Sequence, residues 1–469
     1  MIAVAAAARL ATLGLYPLMD TTEARYAEIA RRMVELGDWV TPWIGHGEPF
    51  WGKPPLSFWM TAASFKIFGM SAFTARLPHW LCGCMTAWLI WTWLARRSER
   101  EAIYALAVIT GSVLFYVAAG AVMTDMALAL GTTLAMRGFW LALHGTPAER
   151  LREQYVMFLG IVIGMLSKGP IAVVLVCMPI AIWALAAGQI RRVLRQINWG
   201  RGIILVLALV APWYAWAEWR TPGFLEYFLV GEHWHRFMTP GWSGDLYGHS
   251  HPFPRGSIWL FTVVTFLPWT LLVIVAATRW RHAVGPAAPE DRSLGAYLLI
   301  WALTPCLFFS AAGNLLWTYV LPGLPALAML TALWLNRVPR RALPDRLLAS
   351  GVACTALVFF SAVVSMNMAG WGDRKSTKAL ISDYELHRTD GEALVFLGRR
   401  PYSGAFYSEG QAEELCCEVT LQLRLMREPV FVAITADRLH QVPDALSSQF
   451  RFVSRRGNYQ LFLASRSPP

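Results

Sequence analysis

Residues 16–59 read YPLMDTTEARYAEIARRMVELGDWVTPWIGHGEPFWGKPPLSFW. The stretch carries Asp20, Glu23, Arg25, Glu28, Asp38 and Lys53, although membrane-type sequence lies before and after it. Ala24, Ala27, Ile29, Ala30, Met33, Val34 and Leu36 form an apolar side among these charges, a spacing that predicts an amphipathic helix. A polar, partly helical segment placed just after a first membrane helix reads as a lid on a membrane face. It is the expected floor and wall of an active site.

The surrounding chain sets the fold class. Of 469 residues, 56% are hydrophobic and 15% charged, against roughly 45–50% and 25% in a soluble protein. The expectation is an all-α polytopic membrane protein. Its 23 Trp suit aromatic belts at the two interfaces. The formal charge of +11 sits mainly in short loops between apolar runs, which argues for cytoplasmic-loop positives and against nucleic acid. The seven Cys make no disulfide framework, and the adjacent Cys416 and Cys417 are poorly placed to bridge each other.

Apolar runs predict about eleven membrane helices, near 2–19, 72–95, 102–119, 120–142, 155–167, 169–187, 202–218, 257–277, 293–311, 315–335 and 347–369. Met1–Met19 is read as an uncleaved first helix. Arginines follow the second, fourth, sixth, eighth and tenth runs: Arg96, Arg97 and Arg100; Arg150 and Arg152; Arg191, Arg192, Arg195 and Arg201; Arg279, Arg281 and Arg292; Arg337, Arg340, Arg341 and Arg346. The positive-inside rule makes that side cytoplasmic, together with a short Pro-containing loop at 284–288. The loop 20–71, the corners at 118–125 and 167–170, the loop 219–256, the corner near Asn314 and the tail after about Gly370 then lie outside. The first 370 residues form the membrane domain. The tail, 371–469, alternates apolar strands (Ala393–Leu397, Val430–Ile434, Tyr459–Ala464) with charged helical stretches, and Gly457-Asn458 suggests a closing hairpin. A small α/β domain is expected there.

Polar groups at membrane depth are expensive and mark candidate sites. Lysines are few here, so Lys53 in GKPPL and Lys168 in SKGP stand out. Each is read as a phosphate clamp at a helix start or, blandly, as a snorkelling cation. Asp20, Glu23 and Asp125 are candidate catalytic carboxylates, or helix caps. Tyr319, in WTYVLP, is a site candidate or an interface anchor. Glu226, Glu232, His233, His235, Arg236, Asp245, His249 and His251 crowd the loop 219–256, but their spacings match no strong zinc pattern. No cofactor is required, no metal ligand is assigned, and a divalent metal is left open.

These motifs resemble a family. MDTTEARYAEIARRMVELGDWVTP, FWGKPPLSFW, FGMSAFTARLP, MTDMAL, SKGP, EHWHRF and FFSAAGNLLWTYVLPGLPALAML are similar, in order, to the bacterial relatives of protein O-mannosyltransferases, including the transferase that adds aminoarabinose to lipid A. The likeness covers about residues 10–335. It implies the glycosyltransferase C fold and transfer of a sugar from a polyprenyl-phosphate carrier at the outer face of the inner membrane. On the matching positions it implies that Arg25, Lys53 and Tyr319 hold the carrier phosphate and that Asp125 holds the acceptor. Lys168 is read as an added cation. The chain departs from the lipid A enzyme at Thr22-Glu23, where that enzyme has Asp-Glu, and at Gly52, where Glu commonly precedes Lys-Pro-Pro. Gly313 and Leu315 stand where it has lysines. The expected partners are a polyprenyl-phosphate-linked sugar, a lipid or protein acceptor and the bilayer. A lipid-linked sugar flippase and a non-catalytic envelope assembly subunit are the alternatives.

Overall fold

Each apolar run read from the sequence carries helix, and the breaks fall where backbone chemistry forces them. The computed structural model describes residues 1–248, 250–279, 289–338, 345–389, 391–425, 428–442 and 449–465. The expectations on His249, Arg281, Arg340, Arg341 and the loop 284–288 lie outside the described residues. Among the described residues, five helices are long and apolar enough to cross a membrane, or six if one bent pair counts as a span. That pair, Ser257–Thr265 and Trp269–Arg279, was expected as a single helix. It bends by 94° around Pro268, which lacks an N–H for the ladder. The first run is also shorter than expected. Its helix is Ile2–Thr12, about 16 Å at 1.5 Å per residue, and the chain turns at Leu13–Leu15, around Gly14.

The Arg-rich loops meet at one end of the molecule. Arg97 pairs with Asp291, Arg96 with Glu149 at 2.9 Å, Arg100 donates to the carbonyl of Asn336 at 3.3 Å and Arg192 to that of Leu143 at 2.7 Å. The segments expected on the other face gather at the opposite end.

At that end lies the amphipathic helix Thr22–Leu36, closed by Gly37 at φ +64°. It buries Ala24, Ala27, Ile29, Ala30 and Met33. Tyr26 meets the rings of Phe50 and Phe58 edge-on at 5.9 and 5.2 Å. Phe406, from the helix Tyr402–Tyr407, completes this cluster 5.8 Å from Phe65. The helix therefore lies between the membrane helices and the C-terminal region.

The C-terminal region carries a five-stranded sheet in the order Glu413–Leu415, Ala393–Leu397, Val430–Thr435, Tyr459–Ala464, Phe450–Arg456. The first three strands are parallel, and the last two form an antiparallel hairpin turned at Gly457, φ +55°. Val395, Val430, Val432 and Ile434 pack one face, and Leu394, Phe396 and Phe431 the other. Such two-sided apolar runs suit strands buried on both faces.

Candidate active site

Asp125 is the first residue of the helix Asp125–His144, and Lys168 is the last of the helix Pro147–Lys168. The two helices run as an antiparallel hairpin, so these residues share one end. The approach is close because the crossing is made of glycines. A Cβ on Gly131 would meet the Gly160 carbonyl at 2.7 Å, one on Gly138 the Met157 nitrogen at 2.6 Å, and one on Gly160 the Ala135 nitrogen at 2.5 Å. The outcome is a 2.5 Å pair between Lys168 Nζ and Asp125 Oδ1. The same ammonium lies 4.6 Å from the centre of the Tyr319 ring.

The outer loop supplies a second charged group. Its π-helical segment Glu226–His235 aims the Glu232 carboxylate at Lys53, 2.8 Å away, and Arg236 reaches it at 3.1 Å. Burial alone would raise Glu232, but Lys53 and Arg236 outweigh it and hold the carboxyl at about 2. Burial likewise disfavours charged Lys53, and Glu232 outweighs it and raises the ammonium above its ordinary value. Arg236 also pairs with Asp245 at 3.3 Å. Arg25 donates to the carbonyl of Tyr247, and its buried Nε has no partner among the described residues.

Asp20 faces the same space. It accepts the amide of Ser403 at 3.0 Å and the Ser403 hydroxyl. Burial raises its carboxyl above the ordinary value, and these bonds offset only part of that. Asp20, Arg25, Lys53, Asp125, Lys168 and Tyr319 thus line one cavity of about 430 Å³. Among the described residues it collects six cations (Arg25, Lys53, Lys168, Arg236, Arg399, Arg400) against four carboxylates (Asp20, Asp125, Glu232, Asp245). Such a surplus suits an anionic substrate. A larger cavity, about 930 Å³, lies toward the Arg-rich end among mainly apolar residues such as Phe266, Leu330 and Trp334, away from this charge cluster.

Glu23, expected as a candidate catalytic carboxylate, does not line this cavity. Its side chain turns back to Arg76, at 2.7 and 3.0 Å, and accepts the Val122 amide at 3.1 Å. Burial would raise it, but Arg76 outweighs burial and lowers it. Arg76 is itself fully buried and donates to the carbonyls of Leu13, Tyr16 and Pro17, so the pair fastens the lid helix to the chain before it. In the loop 219–256, several of the acidic and His side chains are engaged by other groups. Glu232 and Asp245 are held by cations, and His233 bonds the carbonyls of Phe228 and Lys168 at 2.7 and 3.3 Å. Among the described residues, no group of three or more His, Cys, Asp or Glu is arranged to hold a metal.

The sequence reading missed the roles of Glu232 and Arg236. Their signal was the four-residue spacing in EHWHR, which places both on one helix face. It also missed Arg399, Arg400, Tyr402 and Tyr459. RRPY follows directly on a strand and its Gly, but nothing local shows that the tail folds back onto the lid.

Residues 5–228 match the dolichyl-phosphate-mannose-protein mannosyltransferase family. The chain is 29% identical over 378 residues to the undecaprenyl phosphate-alpha-4-amino-4-deoxy-L-arabinose arabinosyl transferase 1 of Pseudomonas fluorescens, covering 74% of this chain and 61% of that protein. It is 32% identical over 327 residues to the corresponding transferase of Serratia proteamaculans, covering 67% of this chain and 55% of that one. The chain thus spans less than two thirds of the length of these relatives. Its fold is similar to the crystal structure of ArnT from Cupriavidus metallidurans bound to undecaprenyl phosphate, with a TM-score of 0.80 over 99% of this chain and 97% of that one at 20% identity.

Proposed function

The likeness of this chain to the polyprenyl-phosphate-sugar glycosyltransferases is the premise from which we propose that it is an integral membrane glycosyltransferase. It moves a sugar from undecaprenyl phosphate to an acceptor such as lipid A, another glycolipid or a protein. The chain crosses the bacterial inner membrane about eleven times, and the cavity and the region 371–469 face the periplasm. The single observation that carries this reading is the convergence of six separate segments, all expected on one membrane face, on a cavity with surplus positive charge.

The chemistry follows from the charges. The leaving group is the carrier phosphate, whose negative charge grows as the bond from its oxygen to the anomeric carbon breaks. Lys53, Lys168 and Arg25 offset that charge, and the Tyr319 hydroxyl donates to a phosphate oxygen. The acceptor oxygen attacks from the opposite side of the anomeric carbon, so configuration inverts. Asp125, fixed by Lys168, positions the acceptor. Asp20 takes the proton of an acceptor hydroxyl, because its carboxyl is raised and its partners at Ser403 are neutral. A phosphate acceptor needs no base, and Asp20 then acts by position alone.

The test is mass spectrometry of envelope lipids from a deletion strain complemented with wild type, Lys53→Ala, Asp20→Asn or Asp125→Asn. One glycoform should vanish on deletion, return with wild type and stay absent with Lys53→Ala at normal protein level. A lost clamp cation costs on the order of 2–4 kcal/mol in the barrier. Full restoration by all three variants would refute the site.

A further inference from the structure

Positive charge is unevenly distributed inside the cavity. Asp125, Glu232 and Asp245 are engaged by Lys168, Lys53 and Arg236. Arg25, Arg399 and Arg400 form no ion pair with any cavity carboxylate among the described residues. Arg25 donates to one carbonyl, and its Nε has no partner among the described residues. Among the described residues, Arg399 donates to the Tyr402 hydroxyl at 2.9 Å. Arg400 donates to the carbonyls of Gly410 and Ala412, and Glu28 and Glu414 act on it from outside the cavity lining without forming an ion pair with it among the described residues. The Tyr402 ring stands between two of these cations, 5.8 Å from Arg25 Cζ and 5.6 Å from Arg399 Cζ. Gly52, beside Lys53, adds no side chain to the lining.

We infer that Arg399, Arg400 and Tyr402, with Arg25 on their border, form a second anion subsite that binds a carboxylate or phosphate on the sugar headgroup of one substrate. It is separate from the Lys53–Lys168 clamp for the carrier phosphate, and the inference rests on the transferase reading. The same charge count disfavours a cationic amino sugar. Among the described residues, an ammonium entering the cavity finds Asp20 as its one carboxylate without a cation partner. In this respect the chain departs from the aminoarabinose named for its relatives.

The test uses the full chain in nanodiscs, with and without saturating undecaprenyl phosphate. Glucuronate, glucose 6-phosphate, glucose and glucosamine are titrated by ligand-observed NMR. At least one anionic sugar should bind about tenfold better than glucose and glucosamine. Arg399→Gln should remove that preference while leaving undecaprenyl phosphate binding unchanged. Lys53→Ala should do the reverse. Arg399 is exposed at the rim, so its variant does not put folding at risk, whereas Arg400 braces a loop. A preference for glucuronate assigns the anion to the donor sugar, and one for glucose 6-phosphate assigns it to a phosphorylated acceptor headgroup. Glucosamine binding as well as either anion, or an unchanged preference in Arg399→Gln, overturns the subsite. Loss of undecaprenyl phosphate binding alone would sink the carrier reading and leave the anion preference to be scored in its absence.

Discussion

Asp20 and Glu23 lie three residues apart, yet their surroundings give them opposite chemistry. Glu23 answers a fully buried guanidinium, and its charge is part of the fold. Breaking a buried pair by removing one charge leaves the other uncompensated, at a cost of about 3–5 kcal/mol. Glu23→Gln is therefore expected to lower the thermal midpoint of the detergent-solubilised protein sharply, and Thr22→Ala, at an exposed cavity-lining residue, to leave it near wild type. Comparable midpoints for the two would restore Glu23 to the catalytic candidates. Glu232 gives a pH prediction with a definite sign. Its folded value, about 2, lies below its ordinary 4.5. Its stabilisation is thus fully present above pH 4.5 and lost as pH falls through 2. The stability difference between wild type and Glu232→Gln should be on the order of 3 kcal/mol at pH 6 and shrink as the buffer is taken to pH 3, read from the unfolding of both proteins at each pH. Asp20 has a raised value, so it runs the other way: its contribution holds below 3.8 and is lost as pH rises through its folded value.

The unit that aligns Asp125 with Lys168 is the hairpin of Asp125–His144 and Pro147–Lys168. Its glycines meet backbone atoms across the crossing, and backbone cannot rotate away as a side chain can. Gly160→Leu is expected to splay the helices, cost at least about 2 kcal/mol and disrupt the 2.5 Å pair. A purified Gly160→Leu that unfolds at the wild-type temperature and supports normal glycoform levels would contradict this. Helix existence was legible in the sequence because apolar runs of this length have few other fates. The strands Ala393–Leu397 and Tyr459–Ala464 were legible from their β-branched and aromatic residues between turn signals. The bend at Pro268 and the early stop at Thr12 were carried by single residues inside otherwise uniform runs, where hydropathy is least informative. The site was legible where a polar residue stood alone in apolar sequence, as at Lys53, Asp125 and Lys168. Direction was not: nothing in DTTEAR shows that Asp20 points to the cavity and Glu23 to Arg76.

At the scale of the whole chain, the C-terminal region lines the candidate site together with the lid. Ser403 holds Asp20, and the Asp20 amide bonds the carbonyl of Lys375 at 2.7 Å. The Leu18 amide bonds the Tyr407 hydroxyl at 2.7 Å, and Arg31 reaches the carbonyl of Glu409 at 2.9 Å. Phe406, 5% exposed, fills the cluster beneath the lid. These contacts lie on either side of the RRPY turn that lines the cavity, so lid and tail position each other. Two consequences separate this arrangement from a tethered domain. Phe406→Ala should cost about 3–5 kcal/mol through the space it leaves, a change seen in the melting of the whole protein and not of an isolated tail. Ser403→Ala should act more locally. It removes the hydroxyl bond to Asp20 and keeps the amide bond, so one of the contacts that lower the Asp20 carboxyl is lost and the carboxyl rises further. With a hydroxyl acceptor, the acid limb of the activity–pH profile should then move to higher pH, while undecaprenyl phosphate binding stays at the wild-type value. Co-expressing residues 1–370 and 371–469 as separate chains completes the comparison. A tethered domain predicts that the first fragment keeps its glycoform on its own. A shared site predicts that neither fragment does so alone, and that the pair regains activity only when the tail docks on the lid.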